Sequence, residues 1–281
     1  MRGGATPGRL ACGRGEAPRM LLAELSEALA GPMVVAHYQP IVRLYDRMPL
    51  ALEALARLNH PQRGTLPPDC FVPHMEDAGL APRLAEIMAA IAFHDLASPA
   101  LAAYQLRVML NFPPHVLLVP EALDRLDNQC RVAGIRADQV VIELTEGQPV
   151  DDLPGLRSAV ERLRADGYVV AIDDVGPDVP GIDALLTLPV SSIKLDKGLV
   201  MGQARSSALR AFLERTVEAA LLRGLWIIAE GVEDAATWHR LRELGVHCAQ
   251  GFLIARPMVV VAVPPWVETW RGQPDFAEPP T

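Results

Sequence analysis

No run of about 18 apolar residues, the length a helix needs to span a membrane, occurs in this chain, so no membrane segment is expected. Cysteine is scarce. Cys12, Cys70, Cys130 and Cys248 are scattered, and no CxxC spacing joins any two of them. That argues against a cysteine zinc site and reads as reduced thiols in a cytoplasmic protein. No HxxxH or other His/Cys cluster is present. Positive charge is in deficit: 26 Lys and Arg stand against 34 Asp and Glu, a net charge of −8. This disfavours non-specific binding to a DNA or RNA polymer and leaves open a small anionic ligand carried by metal ions. Residues 1–19 are Gly- and Arg-rich and lack the apolar h-region of a signal peptide. We expect a disordered tail over 1–20, with Met20 a candidate start, and a second tail over 271–281. Between them, over 21–270, lies one domain without repeat, low-complexity stretch or linker.

What is there is a body that alternates two kinds of segment. The chain has 281 residues, half of them hydrophobic, enough for a full-sized core. Short Val- and Ile-rich runs predict buried strands at about 35–42, 49–57, 106–111, 139–145, 168–173, 191–195, 225–229 and 247–251. Helical patterns lie between most of them. Leu209, Phe212, Leu213, Val217 and Leu221 fall on one face of a helix over 207–221. The segments 153–165 and 234–244 behave alike, each followed by a glycine stop, Gly167 and Gly245. Eight strands with intervening helices predict a TIM-like (β/α)8 barrel. Only some six residues separate the first two strands. A parallel crossover needs a dozen or more, so the first strand should run antiparallel to the rest.

Acidic and amide residues close these strands. Glu143-Leu144-Thr145-Glu146 and Asp173-Asp174 each end an apolar run, and Glu53, Asn111, Lys194, Glu230 and Gln250 recur at the other ends. In a barrel the C-terminal strand ends form one rim, which gathers these groups around one mouth. Carboxylates so gathered repel unless cations sit among them. Carboxylates plus an amide oxygen are hard ligands, suited to Mg2+ or Mn2+ rather than zinc. The adjacent Asp173 and Asp174 suit a two-ion site of the kind that activates water for phosphoryl displacement. Taken singly, each residue has a plainer explanation. Glu146 and Glu233 read equally as helix-cap or loop acids, Asp196 as a brace for Lys194, Arg57 as half of a surface ion pair with Glu53, and His60-Pro61 as a turn.

The ordered set resembles the EAL-domain family of cyclic di-GMP phosphodiesterases. The naming motif stands as Glu53-Ala54-Leu55. The likeness runs from Gln39-Pro40-Ile41 through Pro67, Phe71-Val72-Pro73, Asn111, Glu143 to Glu146, the Asp pair, Lys194-Leu195-Asp196 and Glu230-Gly231-Val232-Glu233. It ends at Gln250-Gly251-Phe252 and Arg256-Pro257. The resemblance implies a barrel with a reversed first strand that hydrolyses cyclic di-GMP to linear pGpG with two Mg2+ or Mn2+ ions. It implies that Glu53, Asn111, Glu143, Asp173 and Asp174 are metal ligands. It gives catalytic roles to Lys194 at a water, to Glu230 as general base or ligand, and to Glu146 as anchor of the loop after the Asp pair. Gln39, Leu55, Arg57 and Gln250 match positions that hold the nucleotide or lie close to the metals.

One segment departs from the pattern. Where the family commonly reads FGTGYSSL, this chain has Val175-Gly176-Pro177-Asp178-Val179-Pro180-Gly181-Ile182, with two prolines fixing φ. Pro113 also replaces the usual serine after Asn111. In the family that loop supports metal binding and a homodimer contact. The expected function is therefore a slow cyclic di-GMP phosphodiesterase. The alternative is a weak or inactive EAL-type module that binds cyclic di-GMP for signalling. An unrelated magnesium lyase barrel explains the acids but not the ordered motifs.

Overall fold

The computed structural model describes residues 22–144, 152–177, 185–274 and 276. Its strands are β1 (Val34–Arg43), β2 (Pro49–His60), β3 (Gly64–Leu66), β4 (Arg107–Phe112), β5 (Val140–Leu144), β6 (Val169–Val175), β7 (Ser192–Leu195), β8 (Trp226–Ala229) and β9 (Cys248–Ala249). Strand β1 pairs antiparallel with β2 from Val34↔Leu58 to Val42↔Pro49. Strands β2 and β4 to β9 then run parallel in order. The ring closes where β1 meets β9, antiparallel, at Val42↔Ala249 and Arg43↔Cys248. The result is a closed eight-stranded barrel with one reversed strand, as the sequence predicts. The short β3 extends β2 outside the ring; His60 makes the intervening turn, its Nδ1 accepting from the Gln62 and Arg63 amides.

Period-two alternation sorts each strand into an inner and an outer face. Outward residues such as Leu52, Val108, Ile142, Ile172, Ile193 and Ile227 join the large core beneath the helices. Inward residues form a separate plug of Ile41, Ala51, Met109, Val141, Ala171, Ile228 and Cys248. Burying each large aliphatic side chain contributes about 1.5–3 kcal/mol. Two residues further toward the rim, on the same inward face, stand Glu53, Asn111, Glu143, Asp173, Glu230 and Gln250; on the reversed strand the counterpart of Ile41 is Gln39. The plug thus sets the floor on which the polar layer sits.

The helices surround the ring: α1 (Leu22–Ala30), α2 (Val72–Asp77), α3 (Ala81–Ala97), α4 (Pro99–Ala102), α5 (Pro114–Leu117), α6 (Pro120–Ala133), α7 (Leu153–Ala165), α8 (Lys197–Gly202), α9 (Ser207–Leu222), α10 (Ala235–Glu243) and α11 (Val263–Gly272). The three helices expected from the pattern, α7, α9 and α10, begin on side-chain caps. Asp152 accepts from the Gly155 amide, Ser206 from Leu209 and Asp234 from Thr237. At the base of the barrel α11 packs on the β1–β2 turn. Trp270 Nε1 donates to the Arg47 carbonyl at 2.7 Å, and the Arg47 guanidinium lies over the rings of Trp270 and Phe276, 4.3 and 4.7 Å from their centroids.

No helix among the described residues is long and apolar enough to cross a membrane. Cys130 and Cys248 are free and buried. Cys70 is disulfide-bonded, against the expectation of four reduced thiols. The tail over 1–20 and most of that after 270 lie outside the described residues, although α11 itself runs to Gly272.

Candidate active site

One ammonium organises the polar layer. Lys194 is completely buried, and its Nζ lies 2.5 Å from Glu230, 2.9 Å from Glu143, 2.9 Å from Asp173 and 3.5 Å from Glu53. Each of these acids arrives on a different strand or strand end, so only the closed ring brings them together. Burial alone would depress the lysine, yet Asp173, Glu143, Glu230 and Glu53 hold its pKa well above the usual range. The carboxylates respond in different directions. Burial, with Glu53 and Asp173 nearby, drives Glu143 well above the usual carboxylate range. Burial pushes Glu230 up to about 8. Burial raises Glu53 too, but Lys194, Gln250 and Asn111 outweigh it and leave Glu53 below its ordinary value.

Asp174 is brought in by a distortion of β6. Consecutive strand residues normally face opposite sides. Here the pairing with β7 slips between Ile172 and Val175, and Asp174 has φ of +52°. This local bulge lets both Asp173 and Asp174 line the same cavity. Burial and Asp173 together raise Asp174 to about 6.

Amides fix the orientation of Glu53. Asn111 Nδ2 donates to its Oε1 at 3.1 Å and Gln250 Nε2 to its Oε2 at 2.6 Å. Gln250 also donates to Gln39 Oε1 at 3.0 Å, and Gln39 Nε2 donates to the Ala255 carbonyl at 3.1 Å. Gln39 is therefore held within a chain of amides that ends on Glu53.

The donor set fits divalent cations. Oxygens of Glu53, Glu143 and Asp173 lie within 4.8 Å of one another, and so do those of Asp173, Asp174 and Glu230. Among the described residues no hydrogen-bond donor meets the buried Glu143 Oε2, while its Oε1 and Asp173 Oδ1 each meet the Lys194 ammonium. Four carboxylates share one ammonium, and the oxygens left over are the hard ligands Mg2+ and Mn2+ take.

Above this floor opens a cavity of about 630 Å³. Gln39, Glu53, Leu55, Asn111, Asp173, Asp174, Glu230 and Gln250 line its polar arm; Val72, Met75, Leu84 and Met88 line an apolar arm against α2 and α3. Glu143 and Lys194 lie beneath it, and Pro113 lines it. Arg57 is not among the lining residues. Its guanidinium donates to the Ala56 carbonyl at 2.8 Å and feels Asp69 and Glu53 electrostatically. Glu146 and residues 178–182 of the altered loop fall outside the described residues.

One smaller expectation is corrected. Asp196 does not brace Lys194; its side chain accepts from the Leu199 amide at 3.0 Å and starts α8. Of the two readings of Glu233, the loop acid holds: it lies just before the helix cap Asp234 and pairs with Lys197 at 2.9 Å. Lys197, Phe252 and the apolar arm are lining residues that strand-end reasoning missed. Lys197 follows Asp196 directly, so the helix start after β7 was the available signal.

A deep acidic floor at the C-terminal mouth of a barrel with one reversed strand defines the class, and sequence comparison gives the family. The chain matches the EAL domain family over residues 22–257 and belongs to it. It is 31% identical over 249 residues to the cyclic di-GMP phosphodiesterase NbdA of Pseudomonas aeruginosa, covering 88% of this chain and 32% of that protein. It is 30% identical over 239 residues to the bifunctional diguanylate cyclase/cyclic di-GMP phosphodiesterase MucR of the same organism, covering 85% and 35%. The chain thus spans about a third of the length of these relatives. A solved structure of the PaMucR phosphodiesterase in complex with c-di-GMP superposes with a TM-score of 0.80 at 29% identity, covering 86% of this chain and 98% of that one. The EAL enzyme Bd1971 superposes equally well, TM-score 0.80, at 22% identity, which speaks for the fold alone.

Proposed function

We propose that this chain is a metal-dependent phosphodiesterase that hydrolyses cyclic di-GMP to linear pGpG in the cytoplasm. The convergence of four carboxylates on one buried ammonium, at the floor of a cavity of nucleotide size, carries the reading. Relatives and a structural neighbour named for this activity support it. Glu53, Asn111, Glu143, Asp173 and Asp174 would hold two Mg2+ or Mn2+ ions. When bound, such ions supply charge neutralisation at the phosphate and a hydrolytic nucleophile at neutral pH.

The residues divide the remaining work. Asn111 and Gln250 fix the two oxygens of Glu53, and Gln39 fixes Gln250. Glu230, with a pKa near working pH, suits proton transfer. The oxygen of a water bonds to phosphorus, one P–O3′ bond breaks, and Glu230 passes the water's proton toward the leaving 3′ oxygen. Lys194 holds the acids in place from below. Arg57, half-buried and outside the cavity lining, would have to leave the Ala56 carbonyl to meet the nucleotide.

Turnover is slow in this reading, because the loop over 175–182 lacks the family's small hydrogen-bonding residues and carries prolines instead. That same departure favours a second reading, a binding module that captures cyclic di-GMP without cleaving it. Incubation of the purified protein with cyclic di-GMP and Mg2+ or Mn2+, followed by chromatography, separates them. Appearance of pGpG is expected. Tight binding with no pGpG at any metal concentration decides for the module.

A further inference from the structure

A cavity that takes a ligand with two phosphates needs cations, and this one has few. Among the described residues Lys197 is the only Lys or Arg that lines it. Lys194 lies beneath, completely buried and surrounded by four carboxylates. Lys197 is the opposite case. Its side chain is 49% exposed, its Nζ is 2.9 Å from Glu233 and 5.1 Å from the centre of the Phe252 ring. Among the described residues it forms no ion pair with the five acids of the floor. It is a charge at the rim, apart from the reacting centre.

The backbone aims it there. Asp196 caps the first turn of α8 and so fixes the start of the helix on which Lys197 is the first residue. The lysine stem then lies across Gly231. That glycine has φ of +66°, and a Cβ on it would come within 2.4 Å of Lys197 Cγ. A side chain at 231 would force the lysine stem to shift. The partner that holds it, Glu233, offers a single, partly exposed ion pair, which is weak and exchangeable.

We propose that Lys197 anchors a second phosphate: it exchanges Glu233 for the non-reacting phosphate of the bound cyclic dinucleotide, and so favours ligands with two phosphates over ligands with one. This rests on the cyclic di-GMP reading of the cavity. The test compares Lys197→Gln and Lys197→Arg on cyclic di-GMP and on bis(p-nitrophenyl) phosphate, a diester with one phosphate, both with Mn2+. Lys197→Gln is expected to raise KM for cyclic di-GMP tenfold or more with kcat within threefold. Its loss of kcat/KM on the one-phosphate diester should be at least fivefold smaller, and Lys197→Arg should restore KM to within threefold of wild type. Equal losses on both substrates, a loss confined to kcat, an unchanged KM, or an Arg variant as poor as Gln would each overturn the proposal.

Wild type that cleaves neither substrate ends the phosphodiesterase reading but not this one. Calorimetry in EDTA then decides it, with cyclic di-GMP and 5′-GMP as probes. Lys197→Gln should weaken cyclic di-GMP at least tenfold and 5′-GMP much less. Equal weakening of the two, or none, removes Lys197 from ligand binding.

Discussion

Glu53 accepts two amide hydrogen bonds and faces Lys194, so both of its oxygens are held among the described residues. Removing it takes away a ligand and leaves the Asn111 and Gln250 amides without their acceptor. Glu53→Ala is therefore expected to abolish pGpG formation and to lose most of the thermal stabilisation that Mn2+ confers on the wild type. A variant that still forms pGpG at more than about one-hundredth of the wild-type rate contradicts the assignment, since a displacement near 1 Å alone costs about 100-fold. Arg57 is a subtler case. It stands on the inward-facing series Glu53, Leu55, Arg57, yet its guanidinium is turned to the backbone carbonyl of Ala56. If it swings to a phosphate in the complex, Arg57→Ala weakens cyclic di-GMP by about 1.5–3 kcal/mol, the range for charge-assisted hydrogen bonds. Calorimetry showing unchanged affinity would reduce it to an electrostatic neighbour of Asp69.

At the scale of an element, β6 shows how both members of the Asp pair reach one cavity. The bulge puts Asp174 in the left-handed region, which Asn tolerates and a β-branched residue does not. Asp174→Asn should keep the fold within about 1 kcal/mol and lose affinity for a second ion, whereas Asp174→Val should also destabilise by about 1–3 kcal/mol. Denaturant titration with and without Mn2+ distinguishes charge from strain; equal stability of the two variants would show that the bulge carries no strain. Strand β8 offers a pH test at the end opposite the acidic floor. His247 Nδ1 accepts from the Ile227 amide at 3.1 Å, its ring stacks on Trp226, and burial lowers its pKa. The folded state thus prefers the neutral imidazole. Its contribution is full above about 6.5, the unfolded value, and is lost as pH falls through the lowered folded value. The stability gap between wild type and His247→Gln should be larger at pH 7.5 than at pH 5.5, as read by urea midpoints; a gap that widens on acidification reverses the sign. Elements such as β5 and α7 were legible because one period dominates each of them. Helix α3 was less legible, although Leu84, Ala85, Met88, Ala92 and Leu96 form its buried stripe, because the alanines around the rest of the helix blur the edge of that stripe. The bulge in β6 left no periodic trace, since two adjacent aspartates read alike whichever way they face. Gln39 was legible only as a motif residue, because its role depends on Gln250, some two hundred positions away.

For the whole molecule, the altered segment over 175–182 follows the Asp pair directly in the sequence. Grafting FGTGYSSL into 175–182 is expected to raise the initial rate of pGpG formation at limiting Mn2+ by about tenfold or more, within the range by which supporting residues tune a metal site. High Mn2+ should recover only part of that gain in the ungrafted protein. A graft with no effect at any metal concentration would place the slow step elsewhere. The reversed strand has a further consequence, one of time rather than geometry. Strand β1 forms its hairpin with β2 from neighbouring sequence, but its other edge stays open until β9 arrives at Val42 and Arg43. On a growing chain, that edge is made first and covered last. The residue after β9 is Gln250, which completes the amides around Glu53. The ring and the polar floor are therefore finished together, by almost the same few residues, and a nascent chain that stops short of them has neither.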